Sequence, residues 1–185
     1  MPANNINESL SNFIQKEGAL YTESLLNFFT ANGLDNFIGQ DFDHIAIKAR
    51  DTSQYELLVQ MYQQMAEKIV YVEMNNRRIA TVILVKPILF APFGTTGYIE
   101  LMEPRPEKAG KDFVGFEHAE IYVEDLTYIR TLIEGRGIEH EEYTNDFHSA
   151  IVCKINGAGQ EIKFTDTPHT KIIEEEEVAG RLQVI

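Results

Sequence analysis

Alternation of apolar and polar residues is clearest in two short phrases, DHIAIKA at Asp43 to Ala49 and EHAEIYV at Glu117 to Val123. Side chains along a strand point to opposite faces in turn, so His44, Ala46 and Lys48 share one face while Ile45, Ile47 and Ala49 share the other. The second phrase divides in the same way, His118, Glu120 and Tyr122 against Ala119, Ile121 and Val123. Two later phrases answer them. In YIELMEP, Tyr98, Glu100 and Met102 oppose Ile99 and Leu101; in EIKFTDTP, Glu161, Lys163 and Thr165 oppose Ile162 and Phe164. Each of the four strands therefore has an apolar face suited to packing under helices and a polar face that a curled sheet would gather into one pocket.

The elements around these strands recur in order. After Asp43 to Ala49 the spacing of Tyr55, Leu58, Val59, Tyr62 and Met65 predicts a helix from Thr52 to Ala66, then strands at Lys68 to Met74, Arg78 to Lys86 and Gly97 to Met102. The second unit reads as a strand from His118, a helix from Leu126 to Glu134 closed by Gly135 and Gly137, and strands at Ile138 to Tyr143, His148 to Ile155 and Gln160 to Thr165. Both are β-α-β-β-β, which makes an α+β fold of tandem modules under one cupped mixed sheet. The expected division is a helical extension over residues 1–39, modules at 40–105 and 106–170 that form one domain, and an acidic, solvated tail at 171–185 whose short apolar end docks on a neighbour or on the body of the same chain. Glu103 to Phe113 (EPRPEKAGKDF) is the linker. The histidines stand 74 residues apart and the glutamates 61, and KPILFAPFGTTG, from Lys86 to Gly97, is where the first unit's extra residues sit. In the extension, apolar residues at three- and four-residue steps predict helix from Glu8 to Ala31, with Gly18 a possible break and Gly33 a stop.

Composition narrows the partners. A net charge of −13 excludes a phosphate-backbone reader and disfavours acidic membrane surfaces. No apolar run approaches the roughly 18 to 20 residues of a membrane span, and the polar N-terminus lacks the pattern of an export signal, so a cytoplasmic protein is expected. The one cysteine, Cys153, permits no intrachain disulfide and reads as a core thiol.

What remains is a duplicated His-then-Glu arrangement: His44, Glu100, His118 and Glu161. Imidazoles and carboxylates suit Zn, Ni, Co, Mn or Fe, and affinity order alone does not choose among these divalent ions. Four such ligands leave positions open for substrate, and a Glu100 or Glu161 that leaves the metal becomes a general base. With only one glutamate bound, the set is the two-His, one-carboxylate triad of non-haem iron oxygenases. A one-residue slip of register would bring Glu103, Glu117 or Glu120 in instead. Lys48, Tyr98, Met102, Glu120, Tyr122 and Lys163 share faces with these residues and are candidates for the pocket lining. His148, on the face of Ala150 and Val152, is a further acid or base. His140 and His169 read as surface or loop residues.

From Gln40 to Thr170 the chain resembles the vicinal oxygen chelate superfamily, the glyoxalase and bleomycin-resistance fold, and its helical extension suits the YecM-like group within it. The resemblance implies metal ligands on the first and fourth strands of each module, where His44, Glu100, His118 and Glu161 fall, although EIKFTDTP lacks the ELMEP ending of the first unit. It implies a metal-dependent isomerase, lyase or dioxygenase acting on a small oxygen-rich metabolite, as monomer or homodimer. The alternative is a non-catalytic protein of the bleomycin-resistance type that sequesters a small molecule.

Overall fold

The apolar spacing of the first thirty residues produces one helix, α1 (Ala3–Ala31). Gly18 does not break it. A side chain there would lie 3.3 Å from the Phe116 ring, so the glycine sets how closely α1 approaches the sheet, and Tyr21, Leu25 and Phe29 are buried along the same stripe. The helix ends where Gly33 takes a positive φ of 63° and the Leu34 amide donates back to the Phe29 carbonyl, a turn that only glycine enters cheaply.

The computed structural model describes residues 3–108, 113–157 and 159–184; residues 109–112 of the expected linker lie outside the described residues. The first unit runs β1 (His44–Lys48), α2 (Thr52–Gln63), β2 (Ala66–Met74), β3 (Arg77–Leu89) and β4 (Thr95–Met102). The second runs β5 (Gly115–Tyr122), α3 (Leu126–Glu134), β6 (His140–Thr144), β7 (Ser149–Lys154) and β8 (Glu161–Thr165). Each module helix starts on an aspartate: Asp51 accepts from the Gln54 amide, and Asp125 from those of Thr127 and Tyr128. The extra residues of the first unit lengthen β3 to Leu89 and form the turn into β4.

The chain ends in α4 (His169–Val178) and β9 (Gln183–Val184). The apolar end docks on the body of the same chain, β9 pairing with β2, but where the acidic run was expected to be solvated, Ile172, Ile173 and Glu176 of α4 are buried. The four consecutive glutamates concealed this, because net charge outweighs two isoleucines in any composition count.

Among the described residues one sheet holds nine strands in the order β6-β7-β8-β5-β1-β4-β3-β2-β9. The modules repeat the same internal order on either side of the antiparallel pair β1 and β5, and each first strand runs parallel to its fourth. Ile45, Ile47, Ile99, Leu101, Ala119, Ile121, Ile162 and Phe164, all at most 1% exposed, form the face under the helices. Burial of this kind is worth about 25 cal/mol per Å² of apolar surface, and it fixes the register, because a one-residue slip would turn the polar face inward.

Tyr21 of α1 reaches through this layer. Its hydroxyl takes a hydrogen bond from the Ala119 amide at 2.5 Å and gives one to the Glu161 carbonyl at 2.8 Å, which ties β5 to β8 directly behind the polar face.

Candidate metal centre

Register brings the histidines together. His44 pairs with Glu120 and Ala46 with His118 across β1 and β5, so the two rings project from the middle of the sheet, on the face opposite the apolar one, 4% and 3% exposed. Ala46 also pairs with Glu100 on β4. The Nε2 atoms of His44 and His118 lie 3.3 Å apart, and Glu100 Oε2 stands 3.7 Å from the first and 4.0 Å from the second. One donor atom from each of these three residues falls within 4.8 Å of the others. Metal–nitrogen bonds of about 2.1 Å place neighbouring ligands roughly 3.0 to 3.4 Å apart and opposite ones about 4.2 Å apart. The two nitrogens stand at neighbouring-ligand spacing, while Glu100 Oε2 has to move closer and the Lys163 ammonium has to leave His118 Nε2 before the three donors can share an ion.

Behind each ring stands the preceding acidic residue. Asp43 Oδ2 lies 3.7 Å from His44 Nδ1, and Glu117 Oε2 lies 3.3 Å from His118 Nδ1. Glu117 reaches the concave face because it is the extra residue of a β-bulge: Ala46 pairs with His118 while Ile47 pairs with Phe116. A carboxylate behind a histidine orients the ring and raises its basicity, the usual support of a metal-ligating imidazole. The two pairs repeat one arrangement, closed to hydrogen-bond distance at His118 but not at His44, whose Nδ1 has no hydrogen-bond partner.

The protonation states follow. Burial opposes charge on His44, but Glu120, Glu100 and Asp43 outweigh it and push the ring up to about 9. His118 falls below its ordinary value through burial and the neighbouring Lys163. Burial would raise Glu100, yet His44, His169, His118 and Lys163 hold it down at about 2. Glu117 lies well below the carboxylate range against the same burial cost, held there by His118 and Lys48. Glu120 is 2% exposed, its Oε2 lies 3.8 Å from His44 Nε2, and its Oε1 has no hydrogen-bond partner. A buried, half-satisfied carboxylate facing imidazole nitrogens is an arrangement that a bound cation would complete.

Of the four residues expected as ligands, the structure brings His44, Glu100 and His118 into one group and leaves Glu161 beside it. Glu161 pairs with His118, whereas Lys163 pairs with Glu120. In the repeat Glu120 corresponds to Ala46, whose fourth-strand partner is Glu100, so Lys163 holds the place that Glu100 holds in the first unit. Aligning IELMEP with IKFTDTP reads the same correspondence from sequence. The Lys163 ammonium accordingly lies 3.2 Å from His118 Nε2, while Glu161 is half-buried and raised by desolvation.

The remaining candidates divide. Lys48 is buried and ion-paired with Glu117. Met102 packs with Ala46 and Ile79 on the cup floor, Tyr122 is exposed at the end of β5, and the Tyr98 ring stands 5.6 Å from that of His169. His169 corrects the sequence reading most sharply. Expected on the surface, it is 5% exposed at the start of α4, its ring 4.3 Å from the ring of His44. Its amide donates to the Asp43 carboxylate at 2.9 Å, and burial among these groups lowers it to about 4. No local pattern marks a histidine brought in by a returning helix.

The fold is of the vicinal oxygen chelate type, two β-α-β-β-β modules whose first strands pair at the centre of one sheet. A structural-genomics protein, EC4020, superposes with a TM-score of 0.73 at 18% identity over 88% of this chain and 91% of that one. Methylmalonyl-CoA epimerase from Mycobacterium tuberculosis superposes with a TM-score of 0.50 at 17% identity, over 72% and 91%. At these identities the likeness is one of fold. Residues 10–127 match the model of the YecM protein family, and the chain belongs to that family. No curated protein matches it.

Proposed function

We propose that the cup binds one divalent metal ion through His44, Glu100 and His118, with Glu120 alongside, and that the ion presents a small oxygen-rich ligand for isomerisation, elimination or oxygenation. The observation that carries this reading is the convergence of three donor atoms within 4.8 Å of one another, each histidine backed by its own carboxylate. An ion there supplies Lewis acidity toward two adjacent ligand oxygens. The chain's own groups do the rest. Asp43 and Glu117 hold the rings in place, and Ala46 and Met102 give the ligand an apolar floor. Glu120, with a buried oxygen that has no hydrogen-bond partner, and Glu161, raised by desolvation, are the carboxyl groups available for proton transfer.

Lys163 favours a second reading. Its ammonium stands against His118 Nε2, where an ion would need that lone pair, so the lysine can serve as a built-in cation in a protein that binds an anionic small molecule without turnover. Metal analysis of untagged protein purified without chelator separates the two. The first reading expects about one equivalent of a transition metal, lost in His44→Ala and Glu100→Ala. Less than about 0.2 equivalents, unchanged in both variants and not restored by added metal, would leave the second.

A further inference from the structure

The β6–β7 hairpin carries a pair of side chains that the metal reading leaves unused. Tyr143 pairs with Ala150, which pairs with Thr165 on β8, so its ring lies on the same concave face as Lys163. The Tyr143 hydroxyl and His148 Nε2 are 2.5 Å apart. The hairpin is held from both ends. Asn145 accepts from the amides of Phe147 and His148, and Arg181, beyond α4, reaches back to Asp146 at 3.2 Å and lies over the Phe147 ring. This clasp joins the two edges of the sheet; burial lowers His148 and raises Tyr143, and the charges of Glu120, Lys163 and His44 reach the first and those of Glu120, Glu100 and Glu161 the second.

His148 Nδ1 is buried and has no partner. If Tyr143 donated to Nε2, a neutral ring would carry its proton on Nδ1 and leave a buried donor unpaired, which is the costlier omission. The favoured tautomer has Nε2–H donating to the phenol oxygen. That frees the Tyr143 proton, on a residue 37% exposed, for another acceptor.

Resting on the metal-cup reading above, we propose that Tyr143, positioned by His148, donates a hydrogen bond to an anionic oxygen of the ligand held in the cup. The ligand class this fits is a small oxyanion, with Lys163 on the same face to balance its charge. Burial and the surrounding carboxylates keep the phenol protonated at neutral pH, as a donor must be.

The test uses cobalt-loaded full-length protein and acetohydroxamate, an anion with two adjacent oxygens, with affinity read from the visible cobalt bands. Cobalt content is measured first. Tyr143→Phe should bind the probe about tenfold more weakly, the equivalent of one lost hydrogen bond to a charged oxygen, at unchanged cobalt content and melting temperature. His148→Ala should weaken it similarly, and His148→Gln, whose amide can still donate to the phenol, should restore part of the loss. Equal affinity in wild type and Tyr143→Phe at full cobalt loading overturns the proposal while leaving the cup reading intact. A loaded wild type that ignores the probe also overturns it. Failure to take up cobalt at all overturns the cup reading and this proposal with it.

Discussion

Metal uptake by this cup should expel one proton at neutral pH, and His44 is its source. A metal ligand must be a neutral imidazole or a carboxylate. Glu100, held at about 2, is already ionised, and His118, held below its ordinary value, is already neutral. His44, pushed up to about 9 by the carboxylates that surround it, carries a proton at pH 7. Removing it costs about two pKa units, about 3 kcal/mol or a factor of about 100 in affinity. Calorimetric titration with nickel at pH 7, in two buffers of different ionisation heat, should report about one proton released per ion. Affinity measured against a competing chelator should rise roughly tenfold per pH unit from 7 and level off near 9. Glu120→Gln removes the carboxylate with the largest hold on His44 and should reduce the protons released at pH 7. Flat affinity between pH 7 and 9 with no proton released would refute the reasoning, since it would mean that His44 is neutral in the free protein or takes no part in binding.

The same groups shape the stability of the metal-free protein. His44 is raised in the folded state, so its contribution is complete below about pH 6.5 and is lost as pH rises through about 9; His169 is lowered, so its contribution is complete above about 6.5 and is lost as pH falls toward 4. Thermal melts should peak near pH 6.5 and fall by about 3 kcal/mol on each side, with His169→Phe flattening the acid limb and bound metal the alkaline one; a melting temperature that does not vary between pH 4 and 9 contradicts this. Tyr21→Phe leaves the Ala119 amide and the Glu161 carbonyl unpaired behind the site and should cost about 1 to 3 kcal/mol in chemical denaturation. A change below about 0.5 kcal/mol would show that the phenol is no strut between β5 and β8.

Much of the fold is legible in the sequence because alternation and burial agree there. In HIAIK and HAEIY the apolar set is complete on one face, so register has one low-energy solution, and both histidines must then share the other face. The fourth ligand position was obscured by counting glutamates: Glu161 resembles Glu100 in type, but the isoleucine before Lys163 corresponds to the isoleucine before Glu100. The bulge at Glu117 is invisible to a strict period of two, because one extra residue places two neighbours on the same face. His169 and the clasp at Arg181 depend on contacts across more than a hundred and about thirty-five residues respectively, and no local window carries such information.

His44, Glu100 and His118 should together bind one ion. Anomalous diffraction at the absorption edge of the metal, from crystals grown with nickel or cobalt, tests it atom by atom. The account predicts one strong peak about 2.0 to 2.2 Å from the two Nε2 atoms and a Glu100 oxygen, with the Lys163 ammonium displaced from His118. Crystals with no peak at this position, and with the Lys163 ammonium still against His118 Nε2, would contradict it.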